Sequence, residues 1–112
     1  MDMSECIFCQ ILAGRKPAAI VYEDDRCVAF EDVNPKSPVH VLVVPRKHIP
    51  TLSDAADEAL LGHLLAVSSR VAKDKGTGSF RLVINTNAAA GQTIYHLHVH
   101  VMGGRAMRWP PG

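Results

Sequence analysis

The sequence predicts an α+β fold: a mainly antiparallel, five-stranded sheet with one long and one short helix. Three observations predict it. Five apolar or alternating stretches have strand length, several of them are joined by short polar turns, and one longer stretch carries helical periodicity. A chain of 112 residues has room for one domain, so 1–112 reads as a single unit with 105–112 as its tail.

Residues 6–13 read as a short helix that Gly14 ends. Residues 19–22 and 27–30 read as a hairpin around the polar turn Glu23-Asp24-Asp25-Arg26. Asn34-Pro35-Lys36-Ser37-Pro38 is a loop, because its prolines lack an N–H and fix φ. His40-Val41-Leu42-Val43-Val44 is an apolar run stopped by Pro45 and reads as an inner strand. The long helix is expected over 54–75. Ser53 is a natural N-cap, Asp54, Asp57 and Glu58 complement the positive end of the helix dipole, and Leu60, Leu64, Val67 and Val71 form one apolar stripe. Gly76 and Gly78 end it. Phe80, Leu82 and Ile84 alternate with Arg81, Val83 and Asn85 as a half-buried strand. A small-residue loop over 88–92 leads to a last strand, expected over 94–102 and closed by Gly103-Gly104.

Composition narrows the function classes. Hydrophobic residues make up 47% and charged residues 21%, the balance of a globular chain and not of a disordered one. Twelve Lys and Arg against eleven Asp and Glu leave a net charge of +1, and the basic blocks are only Arg15-Lys16 and Arg46-Lys47. A nucleic-acid partner is therefore not expected. No apolar run approaches the roughly 18 residues a membrane helix needs, so no membrane partner is expected either. The acidic start Met1-Asp2-Met3-Ser4-Glu5 is not followed by a signal-peptide stretch, and the expectation is a cytoplasmic protein. A monomer of this size buries only about 60–70% of its unfolded surface, which makes a staple or a partner subunit worth expecting. Three cysteines are a poor disulfide framework. Cys6-x-x-Cys9 suggests metal or redox chemistry in a reducing compartment, while Cys27 reads as a small core residue.

The most informative stretch is Tyr95-His96-Leu97-His98-Val99-His100-Val101. Side chains alternate along a strand, so His96, His98 and His100 share one face while Leu97, Val99 and Val101 face the core. Neighbouring imidazoles on that face stand about 6–7 Å apart along the strand, a spacing suited to surrounding a phosphate with one ring attacking and another donating. A lone histidine is most often a satisfied core or surface residue. Three at period two are improbable as decoration, and the competing reading is a metal-centred site.

His96-Leu97-His98-Val99-His100-Val101-Met102 resembles the His-φ-His-φ-His-φ-φ signature of the histidine triad (HIT) superfamily of nucleotidyl hydrolases and transferases. Tyr22-Glu23-Asp24-Asp25, Phe30-Glu31-Asp32-Val33, Pro38-Val39-His40, Val44-Pro45-Arg46-Lys47-His48-Ile49 and Gly91-Gln92-Thr93-Ile94-Tyr95-His96 fall where that family has them. The ending Gly103-Gly104-Arg105-Ala106-Met107-Arg108-Trp109-Pro110-Pro111-Gly112 is similar to the Hint branch.

The resemblance implies a HIT-like fold whose sheet continues across a homodimer. It implies a purine nucleoside phosphoramidase that cleaves the P–N bond of nucleoside 5′-monophosphate amidates. His98 would be the nucleophile that forms a nucleotidyl-histidine intermediate, His100 would hydrogen-bond phosphate and leaving group, and His96 and His40 would orient the array. Thr93, where the family often has serine, would contact phosphate or the departing amine with help from Gln92 and nearby backbone N–H groups such as that of Gly91. Asp32 would accept the ribose hydroxyls; without the resemblance it reads as a turn residue before Asn34-Pro35. Phe8, Ile11, Phe30, Val33 and Leu42 map onto the base pocket and Asn85 maps near the phosphate; their plain readings are core and strand cap. Some family members build a zinc site from such a cysteine pair, a downstream histidine and the first triad histidine, here Cys6, Cys9, His48 and His96. Many Hint-branch proteins lack the cysteines, so this zinc would be structural and no cofactor is required for catalysis. Free thiols or a redox pair are the alternatives. His63 reads as an exposed helix histidine. Trp109 reads either as a packing anchor or as part of a tail that reaches the active site across the dimer. The rival functions are a dinucleoside polyphosphate hydrolase or nucleotidyl transferase with the same intermediate, and a non-catalytic nucleotide- or zinc-binding interaction protein.

Overall fold

The computed structural model describes residues 5–112; the acidic start at 1–4 lies outside the described residues. The elements run α1 (Ile7–Leu12), β1 (Ile20–Glu23), β2 (Cys27–Glu31), β3 (Val39–Pro45), α2 (Glu58–Asp74), β4 (Phe80–Val83) and β5 (Val99–Gly103). The five strands form one sheet in the order β1-β2-β3-β5-β4, with antiparallel pairing throughout. The α+β class and the inner position of β3 are as the sequence predicts.

Both faces of the sheet are covered at its centre, which is why β3 is apolar at nearly every position. On one face Ala29, Val41, Val43, Leu97, Val99 and Val101 pack against the stripe Leu60, Leu64, Val67 and Val71 of α2. On the other, Val28, Phe30, Leu42 and Val44 pack against Cys6 and Phe8 around α1. Alternation along β3 sends Val41 and Val43 to the first face and His40 and Leu42 to the second, where the cavity described below opens.

The long helix starts later than its charge pattern suggests. Asp57, not Ser53, is the N-cap, and its carboxylate accepts the Leu60 N–H at 3.1 Å. Asp54 belongs to a separate 3₁₀ turn, Leu52–Asp54, where it accepts from the Thr51 hydroxyl and N–H. Ala55 is extended (ψ 121°), so the two segments cannot be one helix. At the other end Gly76 (φ +81°) donates to the Lys73 carbonyl and Thr77 to that of Ala72, a Schellman closure that needs the left-handed residue. Ile84 falls past the end of β4, an edge strand with every position half-buried.

The last strand is also shorter than expected. The β3–β5 register would set Pro45 opposite Leu97, and Pro45 has no N–H to continue the ladder. The Leu97 N–H turns instead to the Ile49 carbonyl at 2.6 Å. His96 and His98 therefore precede the paired strand, and only His100 lies within it. The alternation of faces survives: Leu97, Val99 and Val101 are in the core under α2, and the three rings lie on the opposite face.

His63 is not a free surface residue. Its Nε2 donates to Asp24 Oδ2 at 2.6 Å and its Nδ1 takes an Arg26 N–H at 3.1 Å, clasping α2 to the β1–β2 turn. Cys27 is fully buried, as expected.

Candidate active site

A cavity of about 600 Å³ opens between α1, the strand ends on the histidine face and the 85–94 loop. Of the residues singled out from the sequence, Phe8, Ile11, Phe30, Asp32, Val33, His40, Leu42, Asn85, Gly91, Thr93, His98 and His100 all line it. Phe8 from α1 and Phe30 from β2 meet edge to face with ring centroids 5.4 Å apart, the walls of an apolar slot. Phe8 also sets its edge against the His98 ring, at 5.1 Å. Lys16, Pro17 and Ala18 line the cavity as well. These three, with Ile7 and Ile94, carried no signal in the sequence, because they reach the cavity only through the turn after α1 and the path of the chain before His96.

The hydrogen bonds assign the tautomers of the three imidazoles that line the cavity. His98 Nδ1 lies 2.8 Å from the His96 carbonyl, which can only accept, so Nδ1 holds the proton and Nε2 carries a bare lone pair. His40 Nδ1 accepts the Lys36 backbone N–H at 2.9 Å, so its proton is on Nε2, shared between His100 Nδ1 at 3.0 Å and Asp32 Oδ2 at 3.3 Å. His100 Nδ1 is thereby an acceptor and its Nε2 a donor. Two rings 4.9 Å apart thus hold opposite tautomers, one a lone-pair base and the other an N–H donor. The Lys36 N–H sets one half of this arrangement. Sequence reasoning could not find it, since it is a backbone group of a proline-bounded loop.

Electrostatics keep the rings neutral at pH 7. Burial lowers the pKa of His98, only partly offset by the His96 carbonyl and Asp32. Burial, then the neighbouring His98 and His40, bring His100 down to about 4. Burial likewise lowers His40 against the opposing pull of Asp32. Asp32 also accepts the Asn34 N–H at 2.9 Å, so its turn reading and its place on the cavity wall both hold.

Two expected participants do not face the cavity. Gln92 is buried, and its carboxamide is spent on backbone: Oε1 accepts the Asn87 N–H, and Nε2 donates to the Pro50 and Ile94 carbonyls. It shapes the loop carrying Gly91 and Thr93 and has no free group for a ligand, a correction to the expectation that its side chain assists there. The His96 ring is fully buried and points away, its Nε2 donating to the Pro45 carbonyl at 2.8 Å.

His96 Nδ1 instead joins a second cluster. Cys6 Sγ lies 3.4 Å from it and Cys9 Sγ 3.6 Å, while Cys9 Sγ lies 3.3 Å from His48 Nδ1. All four donor atoms fall within 4.8 Å of one another. A tetrahedral zinc with ordinary bond lengths requires sulfur–nitrogen separations of about 3.5 Å, so the cluster fits such an ion. The His96 Nε2–H bond to the Pro45 carbonyl leaves the lone pair on Nδ1, the nitrogen that faces the sulfurs, and fixes the orientation of the ring. Without an ion, burial and the neighbouring Cys6 push the Cys9 thiol up to about 11 and burial holds His96 down at about 4, so these two groups are neutral.

Comparison with known proteins follows the same lines. A family model described as HIT domain matches residues 13–107. The chain is 58% identical over 111 residues to an uncharacterized HIT-like protein of Synechocystis sp., covering 96% of this chain and 97% of that protein. Its fold is similar to that of a HIT family hydrolase from Legionella pneumophila, with a TM-score of 0.93 and 43% identity over 96% of this chain and all of that one. A Zn-bound histidine triad family protein from Mycobacterium smegmatis has a TM-score of 0.84 and 31% identity over 93% of this chain and 78% of that one.

Proposed function

The chain belongs to the HIT family, and on that premise we propose that it is a nucleoside phosphoramidase, hydrolysing the P–N bond of purine nucleoside 5′-monophosphate amidates. The observation that carries this reading is the opposite tautomers of His98 and His100 on one cavity wall. His98 Nε2 attacks phosphorus, forming a P–N bond to the ring as the bond to the leaving amine breaks. His100 Nε2–H hydrogen-bonds the departing nitrogen, which takes one proton from solvent as it leaves. Water then attacks the nucleotidyl-histidine, His98 leaves as the neutral imidazole, and the proton consumed in the first step is returned. His40 keeps the proton of His100 on the cavity side.

The slot between Phe8, Ile11, Phe30 and Leu42, rimmed by Val33, takes the base, and Asp32 takes the ribose hydroxyls. Asn85, Gly91 and Thr93 meet the phosphate at the far wall. His96 acts through its carbonyl on His98 and through its ring on the sulfur cluster. Cys6, Cys9, His48 and His96 would hold structural zinc, whose contribution is to fix ring orientation and tie down α1. A homodimer completes the reading. The outer edge of β4 has no strand partner among the described residues, and Trp109 is 83% exposed. Both suit a sheet that continues into a second copy and a 105–112 tail that meets the partner or its site.

The test is hydrolysis of an adenosine 5′-phosphoramidate with an amine leaving group, in wild type and His98→Ala side by side. Rapid AMP release by the wild type, abolished in a variant that still binds AMP, is the expected result. No release from a folded, AMP-binding wild type would sink the enzymatic reading in favour of a nucleotide-binding protein.

A further inference from the structure

α1 has six residues, too few to hold a helix in water by itself, yet Phe8 and Ile11 on it form a wall of the cavity. Two of its attachments are sulfur. Cys6, the N-cap, and Cys9, one turn on, both lie against His96 Nδ1, and Cys9 also against His48. Phe8, between them in sequence, sets its ring edge against His96 at 5.8 Å and against His98 at 5.1 Å. The His96 carbonyl accepts the Nδ1–H of His98. The sulfur pair therefore reaches the ring that faces the ligand by two routes, one through the His96 backbone and one through Phe8 on the shared helix.

We propose that Cys6 and Cys9 are positioning residues of the nucleotide site, and that their oxidation to a disulfide by a peroxide releases α1 from His48 and His96 and weakens nucleotide binding. This rests on the reading that the cavity takes a nucleoside monophosphate. The pair is spaced for the reaction, with two residues between and Sγ atoms within 4.8 Å. One sulfur–sulfur bond forms and the peroxide O–O bond breaks. The two thiols lose two electrons and two protons, which convert the peroxide to two waters. With a divalent ion on the sulfurs, the ion leaves in place of those protons and solvent supplies the two protons. Cys27 does not compete: it packs in the core on the α2 side of the sheet, while Cys6 and Cys9 pack on the opposite side. Joined to the two histidines, the pair holds α1 against the sheet; joined to itself, it leaves Phe8 as the main tie.

The experiment compares reduced and hydrogen-peroxide-treated wild type by calorimetric titration with AMP, with the disulfide mapped by peptide mass and released metal counted with a chromogenic chelator. AMP binding by the reduced protein is read first, and its absence would overturn the nucleotide reading and this proposal with it. The expected result is a Cys6–Cys9 bond, Kd for AMP raised about tenfold, and full recovery with dithiothreitol. The double variant Cys6→Ser/Cys9→Ser is expected to bind AMP as weakly as oxidised wild type and to ignore peroxide. A mapped disulfide with Kd within about twofold of the reduced protein would overturn the proposal. So would oxidation that ends in another species, or a loss of binding that appears only with loss of the far-ultraviolet dichroism of the whole fold.

Discussion

At His98 and His100 the same side chain is given opposite jobs by what its Nδ1 touches, a carbonyl in one case and an imidazole N–H in the other. The neutral form is the working form of both, which fixes the pH dependence. The His100 value in the fold lies below its ordinary 6.5, so the unfolded chain takes the proton first as pH falls. Stability contributed by the neutral ring is complete above 6.5 and is lost progressively down to about 4. We expect kcat/KM for an adenosine phosphoramidate to have its acid limb below 6.5, since both rings are lowered from that value, measured at pH values where dichroism shows the chain folded. Asp32 supplies a second prediction at this scale. Asp32→Asn removes a charged acceptor for the ribose and is expected to cost about 2 kcal/mol, roughly 30-fold in Kd for AMP, with no matching loss for a 2′,3′-dideoxy nucleotide. Equal losses for both ligands would refute the ribose role.

Among the elements, α2 and the 85–94 loop depend on side chains whose value lies in the backbone groups they satisfy. Asp57 caps α2 and Ser53 does not, so Asp57→Ala is expected to lower unfolding free energy in urea by about 1 kcal/mol while Ser53→Ala leaves it unchanged. The reverse order would restore a helix start at Ser53. Gln92 holds three backbone groups of Asn87, Pro50 and Ile94 in a buried setting. Gln92→Leu leaves them unpaired, and we expect a loss of about 2 kcal/mol in stability and a fall in kcat as the Thr93 loop shifts. A variant with normal stability would show that the loop does not need the clamp. β5 illustrates the limit of a strand's reach: one proline in the neighbouring strand ends the ladder before His98, and the Leu97 N–H finds Ile49 outside the sheet.

For the molecule as a whole, the sheet separates two tasks. One face is closed by α2 and carries most of the core; the other holds the cavity, α1 and the sulfur–imidazole cluster. Removing metal should therefore loosen the cavity face before the α2 face. Dialysis of zinc-loaded protein against a strong chelator is expected to lower Tm by about 10 °C, reversed by adding zinc back, since binding free energy at such a site is folding free energy. A melting curve indifferent to chelator would remove zinc from the structural account. Sedimentation equilibrium at micromolar concentration is expected to return twice the chain mass, and a monomer there would leave Trp109 and the β4 edge without the partner proposed for them.

The sequence by itself determined the period-two order of the triad and of the hydrophobic residues between its members. Those are local properties of alternating side chains, and they held even where His96 and His98 fell outside the ladder. It also determined the stripe of α2 and the inner place of β3. Tertiary structure alone decided which nitrogen of each imidazole carries the proton, because that depends on the Lys36 N–H and the His96 carbonyl, groups every residue possesses. It alone decided that Gln92 is a clamp, that α2 begins at Asp57, and that His63 pairs with Asp24. In each case the competing readings had equal local chemistry, and only the position of a partner distant in sequence separated them.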